Sequence, residues 1–376
     1  MYFLNGNRTF IKPEKGCASL NEQVDSCLKQ LLKINSTQKI FKLNIFVDTE
    51  SGEDYAHLKA SLRSQVVDIL SEDIIQSFIA QPPLTCRIII EAFYYDPSVW
   101  KIKVVSSGEN AAALFSNADT EILVGNVQAD QNKSCKTNSE EAFESLVSIF
   151  NISNFPIKSI VRQWNYLEDI LGFDGEEQRY QEFNNVRSGI YGTEFETAGY
   201  PAATGIGMNR GGVIIEFVAV KSSEAKTKPV DNPAQIAAHV YSEEVLVGEE
   251  CVLKTTPKFE RARYFAYQNK KMIFISGTAS ITGEKTVGID DPVEQTEVTI
   301  QNIKRLYSEP ILEGLSNSKI SARYGHARVY VKYRKDFGAI KKVFEAHYGK
   351  LPVVYIIADI CRDDLLVEIE GKVMLK

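Results

Sequence analysis

The sequence predicts an α/β chain, α+β in arrangement, in two parts: a mixed α/β half over residues 1–200 and a sheet-and-helix domain over residues 201–376. Three observations predict it. At 376 residues the chain exceeds what one hydrophobic core usually organises. A helix-spaced segment followed by a buried strand sets an alternating rhythm near the start. From residue 263 onward the apolar pattern switches regularly between period 2 and period 3.6, giving the order ββαβαββ.

In the first half, LNEQVDSCLKQLLKI (20–34) has helical spacing and KLNIFVD (42–48) reads as a buried strand. The polar ESGEDYAHL leads into a helix expected over about 56–80, which the Pro82-Pro83 pair ends. Strands are expected at 86–95, 100–106 and 121–127, and a helix at 139–150. Residues 159–195 are dense in aromatic and amide side chains, in IVRQWNYLEDILGF and EEQRYQEFNNVRSGIYGTEF. GYPAATGIGMNRGG reads as a Gly-rich turn region, VIIEFVAV (213–220) as a strand buried on both faces, and SSEAKTKPVDNP (222–233) as a surface loop.

The second domain reads as strand YFAYQ, a turn at Asn269-Lys270, strand MIFISGTAS, helix DPVEQTEVTIQNIKRLY, strand HARVYVKYR, helix DFGAIKKVFEAHYG, strand PVVYIIADIC and strand LLVEIEGKVML. Two helices on one face of such a sheet leave its other apolar face to be covered by a second sheet or by another subunit.

Composition excludes several classes. With 43 basic against 49 acidic residues and a net charge of -6, no Lys/Arg stripe offers itself to nucleic acid, although a small anion can still be held by a few arginines in one cleft. No segment has signal-peptide character and none is apolar long enough to span a bilayer, so a cytoplasmic protein without a membrane partner is expected. Cys17, Cys27, Cys86, Cys135, Cys251 and Cys361 are widely spaced without a CxxC pair, which points to reduced thiols and to neither a zinc site nor a disulfide framework. There is no G-x-S-x-G, no phosphate-binding GxxxxGK[ST] and no HExxH, and only four His, so no metal is expected and chemistry falls to carboxylates, arginines and backbone amides. ATGIG (203–207) lacks the third glycine and the context of a dinucleotide site and reads as a tight turn.

Four features carry candidate chemistry. FISGTASITG (274–283) ends an apolar strand in small residues, where a ligand can approach the backbone; the alternative is a plain Gly bulge. Period-2 spacing puts Arg328, Tyr330 and Lys332 on one strand face, and Arg261 with Arg263 on another, and Arg suits bidentate carboxylate binding. Glu368 and Glu370 share a face of LLVEIEGKV. On a solvated face they need no explanation; lining a cleft, burial would raise a carboxyl's pKa and fit it for general-acid work.

On these residues, 258–376 resemble the YjgF/RidA superfamily: the SGTAS strand, Gln295 and Asn302 in EQTEVTIQNI, and VEIEG follow in order. The fuller resemblance is to the chorismatases, also described as pteridine-dependent dioxygenase-like. It runs through RQWNYLEDIL (162–171), RYQEFNNVRSGIY (179–191), PAATGIG (201–207), NPAQIAAHVYS (232–242) and PKFERAR (257–263), and covers roughly residues 155–376.

The resemblance implies a cofactor-independent enzyme that cleaves the enolpyruvyl ether of chorismate, releasing pyruvate with a hydroxybenzoate or a dihydroxycyclohexadienoate. In enzymes this chain resembles, a glutamate of the last strand protonates the enolpyruvyl methylene; by position this falls on Glu368, with Glu370 as its neighbour. Substrate binding is expected from Arg261, Arg263, Tyr264, Gly277, Thr278, Ala279, Arg328 and Tyr330. Cys361, shortly before the glutamate, resembles the family members that make 3-hydroxybenzoate; its other reading is a small core thiol.

Two departures qualify the resemblance. Residues 241–256 differ from the usual Tyr-Pro and Tyr-Gly pattern, which touches substrate specificity. PVVYIIAD, with Val354, lacks the arginine of imine-deaminating relatives. Other YjgF/RidA-type hydrolysis or deamination of a small anion, and a non-catalytic ligand-binding role, are the competing readings. By resemblance the sheet face of 263–376 is covered in a homotrimer; in the rival arrangement the first half covers it in a monomer, and Arg179 and Arg187 become the carboxylate-binding candidates.

Overall fold

The computed structural model describes residues 8–49, 51–129, 133–242, 246, 254–315 and 320–376. Cys251 and most of the divergent 241–256 segment lie outside the described residues.

The first sheet uses β1 (Arg8–Ile11), β2 (Lys39–Val47), β3 (Ile75–Ile79) and β4 (Ile88–Tyr95), in the order β1-β4-β2-β3, with α1 (Leu20–Asn35) and α2 (Gly52–Ile69). Ser19 caps α1 in a reciprocal box with Glu22, and Ser51 caps α2. The helix expected to run to residue 80 instead stops at Ile69. The polar 71–73 segment turns the chain, and the β-branched Ile75 begins a strand parallel to β2.

The middle sheet is built from β5 (Lys101–Ser107), β6 (Asn110–Ser116), β7 (Thr120–Ala129), β8 (Ile160–Glu168), β11 (Ala202–Met208) and β12 (Val213–Ser222), in the order β11-β8-β12-β7-β6-β5. Between β8 and β11 lie a small ribbon, β9 (Phe173–Asp174) with β10 (Glu177–Gln178), and α4 (Arg179–Tyr191); α3 (Cys135–Ile152) precedes β8. The sheet therefore runs across residue 200. ATGIG is not a turn but part of β11, paired parallel to β8 from Ala202↔Arg162 to Met208↔Glu168. Its glycines serve close packing: a Cβ at Gly207 would stand 2.8 Å from the Asp359 carbonyl oxygen, and one at Gly205 3.0 Å from the Tyr180 ring.

The third sheet has the order β13-β14-β15-β20-β18-β19, from β13 (Lys226–Val230), β14 (Ala262–Tyr267), β15 (Lys270–Ala279), β18 (Ala322–Val331), β19 (Val353–Ile357) and β20 (Val367–Leu375). A two-residue ribbon, β16 (Ile281–Thr282) with β17 (Lys285–Thr286), follows β15. The helices are α5 (Pro292–Arg305), started by Asp291 and Pro292, the short α6 (Glu309–Leu315) and α7 (Phe337–Tyr348). The predicted strand and helix order holds, and β13 is an added strand inside the segment that reads as a surface loop. β20 is not an edge strand: it sits between β15 and β18.

Each sheet carries helices on its outer face. Ile300, Ile303, Ile340 and Phe344 pack on Val367, Ile369 and Val373 of the third sheet; Phe143, Leu146 and Phe183 pack on the middle one; Leu28, Leu31 and Leu62 pack on the first. The three inner faces meet in one core, where Phe265, Met272 and Phe274 join Trp164, Ile206 and Ile214 and also Phe41, Phe46 and Phe93. The face of the third sheet that the sequence says must be covered is thus covered within the chain.

Several charged groups in this core are held in pairs, which offsets the cost of burying an isolated ion. Lys42 pairs with Glu216 at 2.8 Å, Arg8 with Glu91 at 2.7 Å, and Arg328 with the same Glu91.

Candidate active site

A cavity of about 590 Å³ opens where the middle and third sheets meet. One wall is α4, whose Tyr180 and Asn184 stand one helical turn apart and face inward beside Gln181. The floor is Ala203 and Gly205 of β11 with Gly277 and Ala279 of β15. The remaining wall comes from Pro257, Phe259 and Arg261, from Cys361–Leu365, and from Glu368 at the start of β20.

The register of β15 on β20 explains the floor. Ile275 pairs with Gly371 and Thr278 with Ile369, so β15 has one residue too many and bulges at Ser276-Gly277. The bulge brings Gly277 against the Glu368 carboxyl. A Cβ there would overlap Oε1 and lie 2.9 Å from Cδ. Both sequence readings of SGTAS hold together: it is a Gly bulge, and it lines the cavity.

Glu368 and Glu370 share a strand face but not an environment. Glu370 is locked: Arg162 Nη2 bonds it, Trp164 Nε1 donates at 2.7 Å, Thr204 Oγ1 at 2.5 Å and Tyr330 at 3.3 Å, and Arg328 Nη1 lies 3.2 Å away. Burial alone would raise its pKa, but Arg162 and Arg328 outweigh burial and hold it below the usual carboxylate range. Glu368 is only 4% exposed and accepts no hydrogen bond among the described residues. Burial first, and the Glu370 charge second, push its pKa up to about 8. It is therefore a protonated, unengaged carboxyl at neutral pH, facing open space.

Arg261 presents a guanidinium to the same space. Its Nη2 donates to the Ile236 carbonyl at 2.6 Å and to the Tyr241 hydroxyl, while its Nε has no partner and no carboxylate pairs with it among the described residues. The Arg261 and Arg362 guanidiniums each lie 5.3 Å from the Tyr241 ring centre. Just behind the α4 wall, buried Arg187 donates to Asn184 Oδ1 at 2.6 Å; its Nε is also unpartnered and it too has no carboxylate partner among the described residues. Burial pushes the Cys361 thiol up to about 12, so it stays an uncharged S–H.

Of the residues singled out in the sequence, Glu368, Cys361, Arg261, Gly277 and Ala279 come together here. The others lie elsewhere. Arg263 is consumed by the carbonyls of Ala198, Gly199 and Tyr200 and by Thr227. Arg328 serves Glu91, Tyr166 and Glu370, and Tyr330 serves Glu370. Tyr264 packs on the helix-covered side, and Thr278 turns its hydroxyl to the Ser276 carbonyl. Arg179 pairs with Asp174 at 2.9 Å. Tyr180 and Asn184 went unmarked in the sequence, although the unusual aromatic and amide density of 159–195 is the signal of their segment. Among the described residues no group of three or more His, Cys, Asp and Glu is placed to hold a metal ion, and no helix is long and apolar enough to cross a membrane.

The chain is similar to several known proteins. Residues 98–219 match the family model described as chorismatase FkbO/Hyg5-like, N-terminal. Over 241 residues, 61% of this chain and 67% of the relative, the sequence is 32% identical to a 3-hydroxybenzoate synthase of Streptomyces hygroscopicus. Over 282 residues, 73% of this chain and 78% of the relative, it is 29% identical to a chorismatase of the same organism. A solved chorismatase structure superposes with a TM-score of 0.69 over 97% of this chain and 98% of its own, at 21% identity, which shows a shared fold across both halves. The chain belongs to the chorismatase family.

Proposed function

We propose that this protein converts chorismate to 3-hydroxybenzoate and pyruvate, with Glu368 as the general acid. The observation that carries the reading is the Glu368 carboxyl itself: buried, without a hydrogen-bond partner among the described residues, raised to about 8 and set on the wall of the cavity. Its proton goes to the enolpyruvyl methylene, making a methyl group and an oxocarbenium ion at the ether carbon. Water or a ring hydroxyl captures that cation and pyruvate departs. On the route to 3-hydroxybenzoate the ring also breaks its other C–O bond, the oxygen leaving as water where water captured the cation or within pyruvate where the ring hydroxyl did, and it gives up a proton as it becomes aromatic, which restores the acid. The two products together thus hold the atoms of chorismate alone.

Arg261 supports the binding of one carboxylate of the dianion and Arg187, through the Asn184 wall, that of the other. Cys361, an uncharged thiol on the cavity wall, bears on the product by its size and placement rather than as a nucleophile. The free thiols of Cys17, Cys27, Cys86, Cys135 and Cys361 suit a reducing, cytoplasmic setting. The test is incubation of purified protein with chorismate and separate assay of pyruvate and the aromatic product. Equal yields of pyruvate and 3-hydroxybenzoate support the reading; pyruvate with a dihydrodiol overturns the product; absence of pyruvate overturns the function.

A further inference from the structure

We propose that Glu370 is a positioning residue whose permanently held negative charge, acting through the two-residue step along β20, keeps the Glu368 carboxyl protonated. The inference rests on the reading of Glu368 as the acid, and it comes from an asymmetry in the structure. Two carboxylates share one face of a central strand, separated by two residues and so by about 7 Å along the strand. One has five polar partners from β8, β11 and β18, and the other has none among the described residues.

Like charges at this separation in a dry site cannot both ionise cheaply. Which of them stays charged is decided by the partners. Arg162, Arg328, Thr204, Trp164 and Tyr330 all converge on Glu370, so the anion settles there and the proton settles on Glu368. The Arg162–Glu370 pair also neutralises the positive charge of Arg162, which would otherwise pull Glu368 toward ionisation.

The charged and titratable groups that face Glu368 are few and come from every neighbouring element. Glu370 is on its own strand, Arg162 on β8, Tyr330 on β18 and Tyr180 on α4; Arg261 precedes β14 and Cys361 precedes β20. Burial keeps both phenols and the thiol neutral in the working range. The balance therefore lies between one anion, Glu370, and two cations, of which Arg162 is already neutralised by that anion. Removing the Glu370 charge takes away the repulsion and leaves Arg162 without its carboxylate partner. Both changes favour ionised Glu368.

The test is an infrared titration of the buried protonated carboxyl band, assigned to Glu368 by its loss in Glu368→Gln, alongside the pH profile of pyruvate release. In the unsubstituted protein the band should persist through neutrality, with Glu370 contributing no protonated band above pH ~5. In Glu370→Gln the Glu368 band should disappear at least one pH unit earlier. Pyruvate release should fall about fivefold or more at pH 8 and recover most of its value near pH 5. Glu370→Asp, which keeps the charge, should restore the original limb.

A uniform loss at all pH values with an unmoved band would show a merely structural role and overturn the proposal. Should Glu370→Gln fail to fold, the unsubstituted protein still decides: a Glu368 band already lost at pH 5, or a protonated Glu370 band at neutrality, overturns it. The band does not depend on turnover, so absence of pyruvate release with the expected titration would count against the proposed reaction and leave the role of Glu370 standing.

Discussion

The Glu368 carboxyl occupies the space in which a side chain on Gly277 would begin. Oε1 overlaps the position of a Cβ on Gly277, and Thr204 Cγ2 closes the far side at 3.1 Å. Strand curvature, the bulge and the acid's placement are therefore one feature.

Gly277→Ala should fold, at a cost of roughly 1–3 kcal/mol for overpacking, but displace the carboxyl and lower pyruvate release more than tenfold. Gly338→Ala, where an added Cβ meets nothing within 4 Å, should leave both unchanged. Thermal melts and a pyruvate assay on the two variants check this; full activity in Gly277→Ala would contradict the packing described.

Glu368→Gln keeps the shape of the side chain and removes the transferable proton. Pyruvate release should drop by roughly 10² to 10⁴-fold. Stability should change in the other direction. The folded protein raises this carboxyl from 4.5 to about 8, so it binds more protons than the unfolded chain across that window. The associated stability is complete below pH 4.5 and is lost as pH rises through about 8. Melting temperatures measured at pH 5 and pH 8.5 should therefore show Glu368→Gln gaining on the unsubstituted protein at the higher pH.

Arg261→Met removes the cavity's guanidinium, which lies 5.3 Å from the Tyr241 ring centre and 5.6 Å from that of Phe259, while keeping an unbranched side chain. Loss of a charge-assisted contact to a substrate carboxylate should cost roughly ten- to a hundredfold in kcat/KM for chorismate, mostly through KM. Arg261 also pulls Glu368 toward ionisation. The alkaline limb of the rate profile should consequently move to higher pH, opposite to the effect at Glu370. Steady-state kinetics over pH 5 to 9 would show both.

The inner face of the third sheet is covered by the other two sheets of the same chain, which removes the need for a neighbouring subunit there. Light scattering should give a mass near 42.2 kDa that does not change with concentration. A mass three times larger would mean that some other surface drives assembly.

How much of this could be read in the sequence depended on range. Period 2 correctly set Glu368 with Glu370, and Arg261 with Arg263, on common faces, because alternation is a local property. It could not say where along a face the cavity opens. Arg263 meets backbone carbonyls of residues 198–200, and Arg328 meets Glu91 from a strand 237 residues away. Thr278 fails for a simpler reason: Gly277 and Ala279 face the cavity, and the residue between them must face the other way. The glycines of β11 mimic a turn because their purpose, the approach of Tyr180 and Asp359, belongs to other segments. Tyr180 and Asn184 escaped because a polar helix face turned inward carries no apolar stripe.

β20 is the middle strand of its sheet yet follows all its neighbours in sequence, so a ribosome delivers β15 and β18 with an empty slot between them. Until residues 367–375 emerge, both flanking strands expose unpaired amides, the kind of edge that recruits other chains. Arg162 meanwhile waits, 208 residues upstream, for the Glu370 that neutralises it. The nascent protein is thus most open to aggregation just before its site is assembled, and a chain stalled ahead of Val367 should bind chaperones while having no acid with which to act on substrate.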